Sequence, residues 1–119
     1  MANPICHVEF VSADMSETTA FYEQVFGWVT TPMGDEYSLW HPGDDAMGGG
    51  FTLRKPEDVK DTQRTIAYIE VEDIEATLAS IGRHGGQTVY PKTRISEEHG
   101  YFAMFTDPHG NMVGLWSKS

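Results

Sequence analysis

Apolar residues recur along the chain with two different periods. Residues 5–11 (ICHVEFV) and 65–71 (TIAYIEV) are β-branched and aromatic stretches that read as strands. Each leads to an aspartate that opens a segment of helical period. Asp14 begins DMSETTAFYEQVFG and Asp73 begins DIEATLASIGRHGG. Asp14 is suited to cap the first helix, with Glu17 three residues on in a capping-box-like relation. Phe21, Tyr22, Val25 and Phe26 fall on one face of it, and Gly27 is its stop. In the second helix Ile74, Leu78 and Ile81 form the stripe, and Gly85-Gly86 ends it. Three extended stretches follow each helix: WVTT, EYSLWH and GGFTL in the first half, QTVY, YFAMFT and MVGLWS in the second.

The two halves carry the same plan. Asp14 to Gly27 and Asp73 to Gly86 both span 13 residues, and both pairs are displaced by 59, as are Pro32 and Pro91. The order β-α-β-β-β occurs twice. The expected architecture is α+β: one domain, 1–119, of two repeated modules, 1–54 and 65–119, joined by a polar linker at 55–64. A four-stranded sheet covered by one helix leaves its other face concave through strand twist. Two such modules are expected to form a concave shared sheet whose hollow is the default ligand site.

The last hairpin poses the sharpest question. In TDPHGNMVGLW, Asp107-Pro108 and Gly110-Asn111 are turn chemistry, with a positive φ cheap at Gly110 or Asn111. Gly114, by contrast, sits inside the following strand, where a glycine marks a bulge or a close approach by another group.

Composition narrows the partners. The 119 residues carry 18 acidic and 8 basic side chains, a formal charge of −10. Nucleic acid and anionic membrane both require a basic face, so neither is expected. No apolar run approaches a membrane span. The N-terminal residues lack signal-peptide features. Together with the lone Cys6, which reads as a small buried hydrophobe, this makes cytoplasmic residence the expectation. GDDAMGGG lacks the Lys-Ser/Thr and following helix of a phosphate loop. Nucleophile-elbow and paired-cysteine zinc motifs do not occur.

Several short motifs together carry a family resemblance over nearly the whole chain. They are His7-x-Glu9, Phe21-Tyr22-x-x-x-Phe26-Gly27-Trp28, Val71-x-Asp73, Gly85-Gly86 and Asp107-Pro108-x-Gly110-Asn111. At these spacings the chain resembles the vicinal oxygen chelate superfamily: glyoxalase, extradiol dioxygenases, and the bleomycin and fosfomycin resistance proteins. It is most similar to glyoxalase-like members ending in Gly-Leu-Trp. Metal-dependent members bind a divalent cation through the first and last strands of each half. By that resemblance His7 keeps one ligand position. Ile66 or Ala67 stands at its counterpart, and Gly50 and Gly114 stand where the last-strand ligands would be. One retained position of four does not make a site that needs about three protein ligands. No cofactor is therefore expected, with an atypical site for Ni, Zn, Fe or Mn as the alternative. A homodimer is expected, as is common among small members.

The candidate site residues follow. His7 and Glu9 share a strand face, and a carboxylate beside the ring would hold it charged. The pair reads as an acid–base couple, as a polar anchor for a ligand, or as two groups that satisfy each other or pair with Arg54 or Arg94. Gly50, Phe51, Tyr68, Met112, Gly114 and Trp116 are expected to line the hollow, with Gly50 and Gly114 either providing volume or acting as bulges. Trp40, Phe102 and Met104 add possible wall. His99, in a polar loop bordering the hollow, is a further ligand contact or a solvated histidine. His41 and His109 read as exposed turn residues. His84 reads as a helix-end residue suited to the macrodipole. Two functions follow: a metal-independent module binding a small, largely apolar molecule, or a lyase, isomerase or hydrolase using His7 with Glu9 or an atypical metal.

Overall fold

The computed structural model describes residues 2–54 and 65–119, and the expected linker at 55–64 lies outside the described residues. The elements run β1 (Ile5–Ser12), α1 (Met15–Phe26), β2 (Val29–Pro32), β3 (Tyr37–His41), β4 (Gly48–Leu53), β5 (Thr65–Glu70), α2 (Ile74–Arg83), β6 (Gln87–Ser96), β7 (Gly100–Thr106) and β8 (Met112–Ser117). This is the α+β class with β-α-β-β-β occurring twice. The chain divides into two compact units, Cys6–Thr65 and Ile66–Ser119 with Met1–Ile5.

In the unit Cys6–Thr65 the strand order is β2-β3-β4-β1. β1 runs parallel to β4, with Glu9 opposite Gly50 and Phe10 opposite Phe51. β4 is antiparallel to β3, with Leu39 opposite Gly50 and Trp40 opposite Gly49. α1 is opened by Asp14, whose carboxylate accepts from the Glu17 N–H at 3.1 Å. It is closed by Gly27 at φ 73, whose N–H donates to the Glu23 carbonyl at 3.0 Å. Between sheet and helix lies an aromatic stack. Trp40 stacks on Trp28 at 4.1 Å, Trp28 on Tyr22 at 4.9 Å, and Phe51, fully buried, lies 5.1 Å from Tyr22. The expected apolar stripe of α1 is therefore only partly used. Tyr22 turns inward, whereas Phe21, Val25 and Phe26 remain exposed.

In the second unit the order is β5-β8-β7-β6. β5 is parallel to β8 and β7 antiparallel to it. Val71, Ile74, Ala103 and Leu115 form a buried core, against which Leu78 and Ile81 of α2 pack. Asp73 caps α2 by accepting from the Ala76 N–H at 3.0 Å. The helix stops at Arg83, ahead of the expected Gly85-Gly86. The His84 ring bonds the Ser80 carbonyl at 2.8 Å, and Gly85 then takes φ 95. β6 is longer than the expected QTVY. It reaches Ser96 through three register shifts, which accommodate Pro91 on an edge strand. The Asp107–Asn111 turn is closed by the Asp107 carboxylate, which accepts from the Asn111 side chain and from the backbone N–H groups of His109 and Asn111. Those bonds, the Asn111 side chain first, hold the Asp107 carboxyl below its ordinary pKa. Gly110 takes the positive φ, 86. No helix among the described residues is long and apolar enough to cross a membrane.

Glycine positions separate packing from propensity. Around Gly82, in α2, an added Cβ meets nothing within 4 Å. Gly82→Ala should stabilise by about 0.5–1 kcal/mol. At Gly49 the same Cβ would run into the Val8 carbonyl and the Trp40 indole, and Gly49→Ala should cost about 2–4 kcal/mol. Urea midpoints of the two variants should move in opposite directions.

Candidate functional site

The polar centre of the first unit is built on strand alternation. His7 and Glu9 project from β1 on the face away from Phe10 and Phe51. Glu9 is buried, at 8% exposure, so its carboxylate needs partners to offset lost hydration. Tyr37 supplies one from β3, on the far side of β4. Its route is open because the residue of β4 between them is Gly50, and an added Cβ there would fall on the Tyr37 hydroxyl. The ring crosses the bare strand. Its hydroxyl donates to Glu9 Oε2 at 2.8 Å and lies 2.9 Å from His7 Nε2. With the single phenolic proton given to Glu9, the His7–Tyr37 bond requires the hydrogen on His7 Nε2.

Burial pushes the His7 pKa down from 6.5 to about 4. The imidazole is thus neutral at pH 7, contrary to the expectation that the carboxylate would hold it charged. Tyr37 bridges the two groups, and the cost of desolvating an imidazolium dominates. Arg94, one of the alternative partners, lies 3.7 Å from Glu97.

The second unit answers its own glycine in the same way. Gly114 lies opposite Tyr68 on β5 and Met104 on β7. A Cβ on Gly114 would fall within the Tyr68 ring. Phe102 lies opposite Trp116, so Tyr68, Gly114, Trp116, Met112, Phe102 and Met104 share the face away from α2. The Trp116 indole N–H donates to the His99 carbonyl at 2.6 Å. The Nδ1 atom of His99 is buried and has no hydrogen-bond partner among the described residues. His41 and His109 are exposed, as expected.

Of the alternatives for the two glycines the volume reading is overturned, and so is the placement of Phe51. Gly50 and Gly114 do not leave ligand volume, because the side chains of Tyr37 and Tyr68 take the space that a Cβ would need. Phe51 does not line the Glu9 face. It belongs to the opposite face, in the stack beneath α1, as does Trp40, whose N–H donates to the Gly50 carbonyl at 3.1 Å. Sequence reasoning also missed Tyr37. The available signal was its position two residues before Leu39, on the same face as Gly50.

The residues present do not fit the divalent-metal site that the resemblance implies. His7 Nε2 is engaged with Tyr37, the corresponding first-strand position is Ile66 or Ala67, and both last-strand positions are glycine. Among the described residues no group of three or more His, Cys, Asp and Glu side chains gathers as a metal site.

The order β-α-β-β-β, occurring twice among the described residues, defines a fold class with relatives. The chain belongs to the Glyoxalase/Bleomycin resistance protein/Dioxygenase superfamily, whose family model matches residues 5–115. It is 30% identical, over 94% of its length, to the putative glyoxylase CFP32 of Mycobacterium bovis, but spans only 44% of that relative. It is 25% identical to a glyoxylase-like domain-containing protein of Didymella fabae, covering 96% of this chain and 93% of the other. Among solved structures, methylmalonyl-CoA epimerase from Mycobacterium tuberculosis superposes with a TM-score of 0.73 at 16% identity, covering 97% and 87% of the two chains. That likeness is one of fold.

The neutral His7 has a sign-defined consequence. Its folded pKa lies below its unfolded value, so the unfolded chain takes up the proton first. The resulting stability is complete above pH 6.5 and is lost as pH falls towards about 4. A shift of that size corresponds to at most about 3 kcal/mol, reduced here because the ring is only half-buried. His7→Gln should therefore lose about 1–2 kcal/mol less than wild type between pH 7 and pH 4.5 in urea titrations. Parallel pH profiles would contradict the assignment. In the other unit, Gly114→Ala should cost about 1–3 kcal/mol, and about half of that should disappear in a Tyr68→Leu background.

Proposed function

We propose that this chain is a metal-independent member of the superfamily that binds a small, largely apolar molecule through one polar group, with His7, Tyr37 and Glu9 as the polar anchor. The observation that carries this reading is the Tyr37 bridge between a buried carboxylate and an imidazole with a pKa of about 4. A general base works best with a pKa near the operating pH. An imidazole so depressed is a weak one at pH 7, which favours hydrogen bonding over proton abstraction. The donor set argues the same way about the metal. A half-buried Cys6 fits residence in a reducing cytoplasm.

A second reading is a lyase, isomerase or hydrolase with Glu9 as its acid–base group. It draws on the burial of Glu9 and on the likeness to a putative glyoxylase.

Calorimetric titration of chelator-treated protein distinguishes the two, using a panel of planar aromatic amines, amides and carboxylates. Saturable binding of a compound from this panel should survive chelation and weaken about 10-fold in Tyr37→Phe, the loss of about one hydrogen bond. Binding or turnover that requires stoichiometric Ni, Zn, Fe or Mn, and disappears in His7→Ala, would replace the first reading with the second.

A further inference from the structure

On the α2 side of the second unit lies an open groove of about 600 Å³, lined by Glu75, Leu78, Thr88, Pro91, Lys92 and Tyr101. It is separate from the face that carries Tyr68 and Gly114, since Leu78 and Tyr101 both pack against the core beneath α2. A bulge in β6 builds its outer wall. Tyr90 stands opposite Met104 and Thr93 opposite Phe102, so Pro91 and Lys92 together share the place opposite Ala103. Ala103 belongs to the core under α2. The bulge therefore brings two consecutive residues to the helix side, where strict alternation brings one. β6 is exposed along its length except at Lys92, which is half-buried.

The groove holds two opposite charges, one on the strand and one on the helix. The Lys92 ammonium lies 4.7 Å from the centroid of the Tyr101 ring, a contact that steadies a cation without neutralising it. Glu75 stands in the first turn of α2. Among the described residues neither has an ion-pair partner, and they do not pair with each other. On a chain with 18 acidic and 8 basic side chains a lysine has many carboxylates to meet, yet this one rests on a ring. The remainder of the lining is largely apolar: Leu78, Pro91 and the face of Tyr101. We propose that this groove binds a small zwitterion, whose carboxylate pairs with Lys92, whose ammonium pairs with Glu75 and whose apolar body lies against Tyr101 and Leu78. Its volume is in the range of small-ligand sites. A simple anion gains Lys92 but is repelled by Glu75, and a simple cation meets the reverse. A molecule carrying both charges complements both. The site uses no residue of the His7–Tyr37–Glu9 anchor, so the two proposals stand or fall separately.

Titration of the full chain with para-aminomethylbenzoate, followed in amide nitrogen–proton correlation spectra, tests this, with benzoate and benzylamine as single-charge controls. The signals of Thr88, Lys92 and Tyr101 should shift saturably. The dissociation constant should be about 5-fold below that of either control, as one additional exposed ion pair supplies. Glu75→Gln should abolish the advantage over benzoate. Lys92→Met, which keeps the apolar stem, should abolish the advantage over benzylamine. Both variants should retain native spectra, since neither side chain is in the core. Shifts that stay linear to about 10 mM, equal affinities for the three probes, or zwitterion binding undiminished in both variants would each overturn the proposal. So would saturable shifts confined to residues 6–54.

Discussion

The polar centre depends on one missing side chain. Glu9 and Tyr37 stand on strands separated by β4, too far apart to meet across a sheet whose middle strand carries a Cβ. Gly50 removes that obstacle, and the Tyr37 ring lies over bare backbone to reach the carboxylate and the imidazole. The neighbouring glycine does the same on the other face, where the Trp40 indole lies against Gly49 and donates to the Gly50 carbonyl. Two consecutive glycines in one strand thus seat two aromatic rings, one on each side of the sheet. A strand-interior glycine sacrifices propensity. Here the loss is offset by ring-on-backbone contact and by satisfying a buried acid.

Electrostatics follows from that geometry. Glu9 is buried and joined to His7 through the Tyr37 hydroxyl. Adding a proton to His7 would require desolvating an imidazolium, and burial prevails. The imidazole therefore rests neutral, hydrogen-bonded to the Tyr37 hydroxyl, which in turn donates to Glu9. Such an arrangement orients a polar group on a ligand. Its imidazole is poorly placed to exchange protons near neutral pH, since it titrates well below that pH.

Local chemistry made much of the fold legible in sequence. Caps at Asp14 and Asp73, the stop at Gly27 and the turn at Gly110 each follow from interactions within a few residues. The duplicated order came from the fixed displacement of those signals. What sequence could not give was long-range. Tyr37 and Glu9 are 28 residues apart, and their meeting depends on what the intervening strand lacks. Phe51 was placed on the wrong face because the parity of GGGFTL depends on which glycine opposes Glu9, a matter of register between strands. Periodicity placed the apolar residues of α1 on one face, and reports amphipathicity whatever covers that side. The length of β6 was hidden by Pro91, which ends a central strand but not an edge one.

The two units solve one problem with different residues. In the pairing with β4, Glu9 stands opposite Gly50; in the pairing with β8, Tyr68 stands opposite Gly114. In the second unit the ring that fills the space comes from the facing residue itself. In the first, the facing residue is an acid, and the ring is lent by β3. The hydroxyl then meets a carboxylate instead of another apolar wall. A single change of facing residue, tyrosine in one half and glutamate in the other, thus decides which unit carries a polar centre and which carries aromatic packing. On this account the glycines are the common element of both halves. The chemistry lies in what stands across from them.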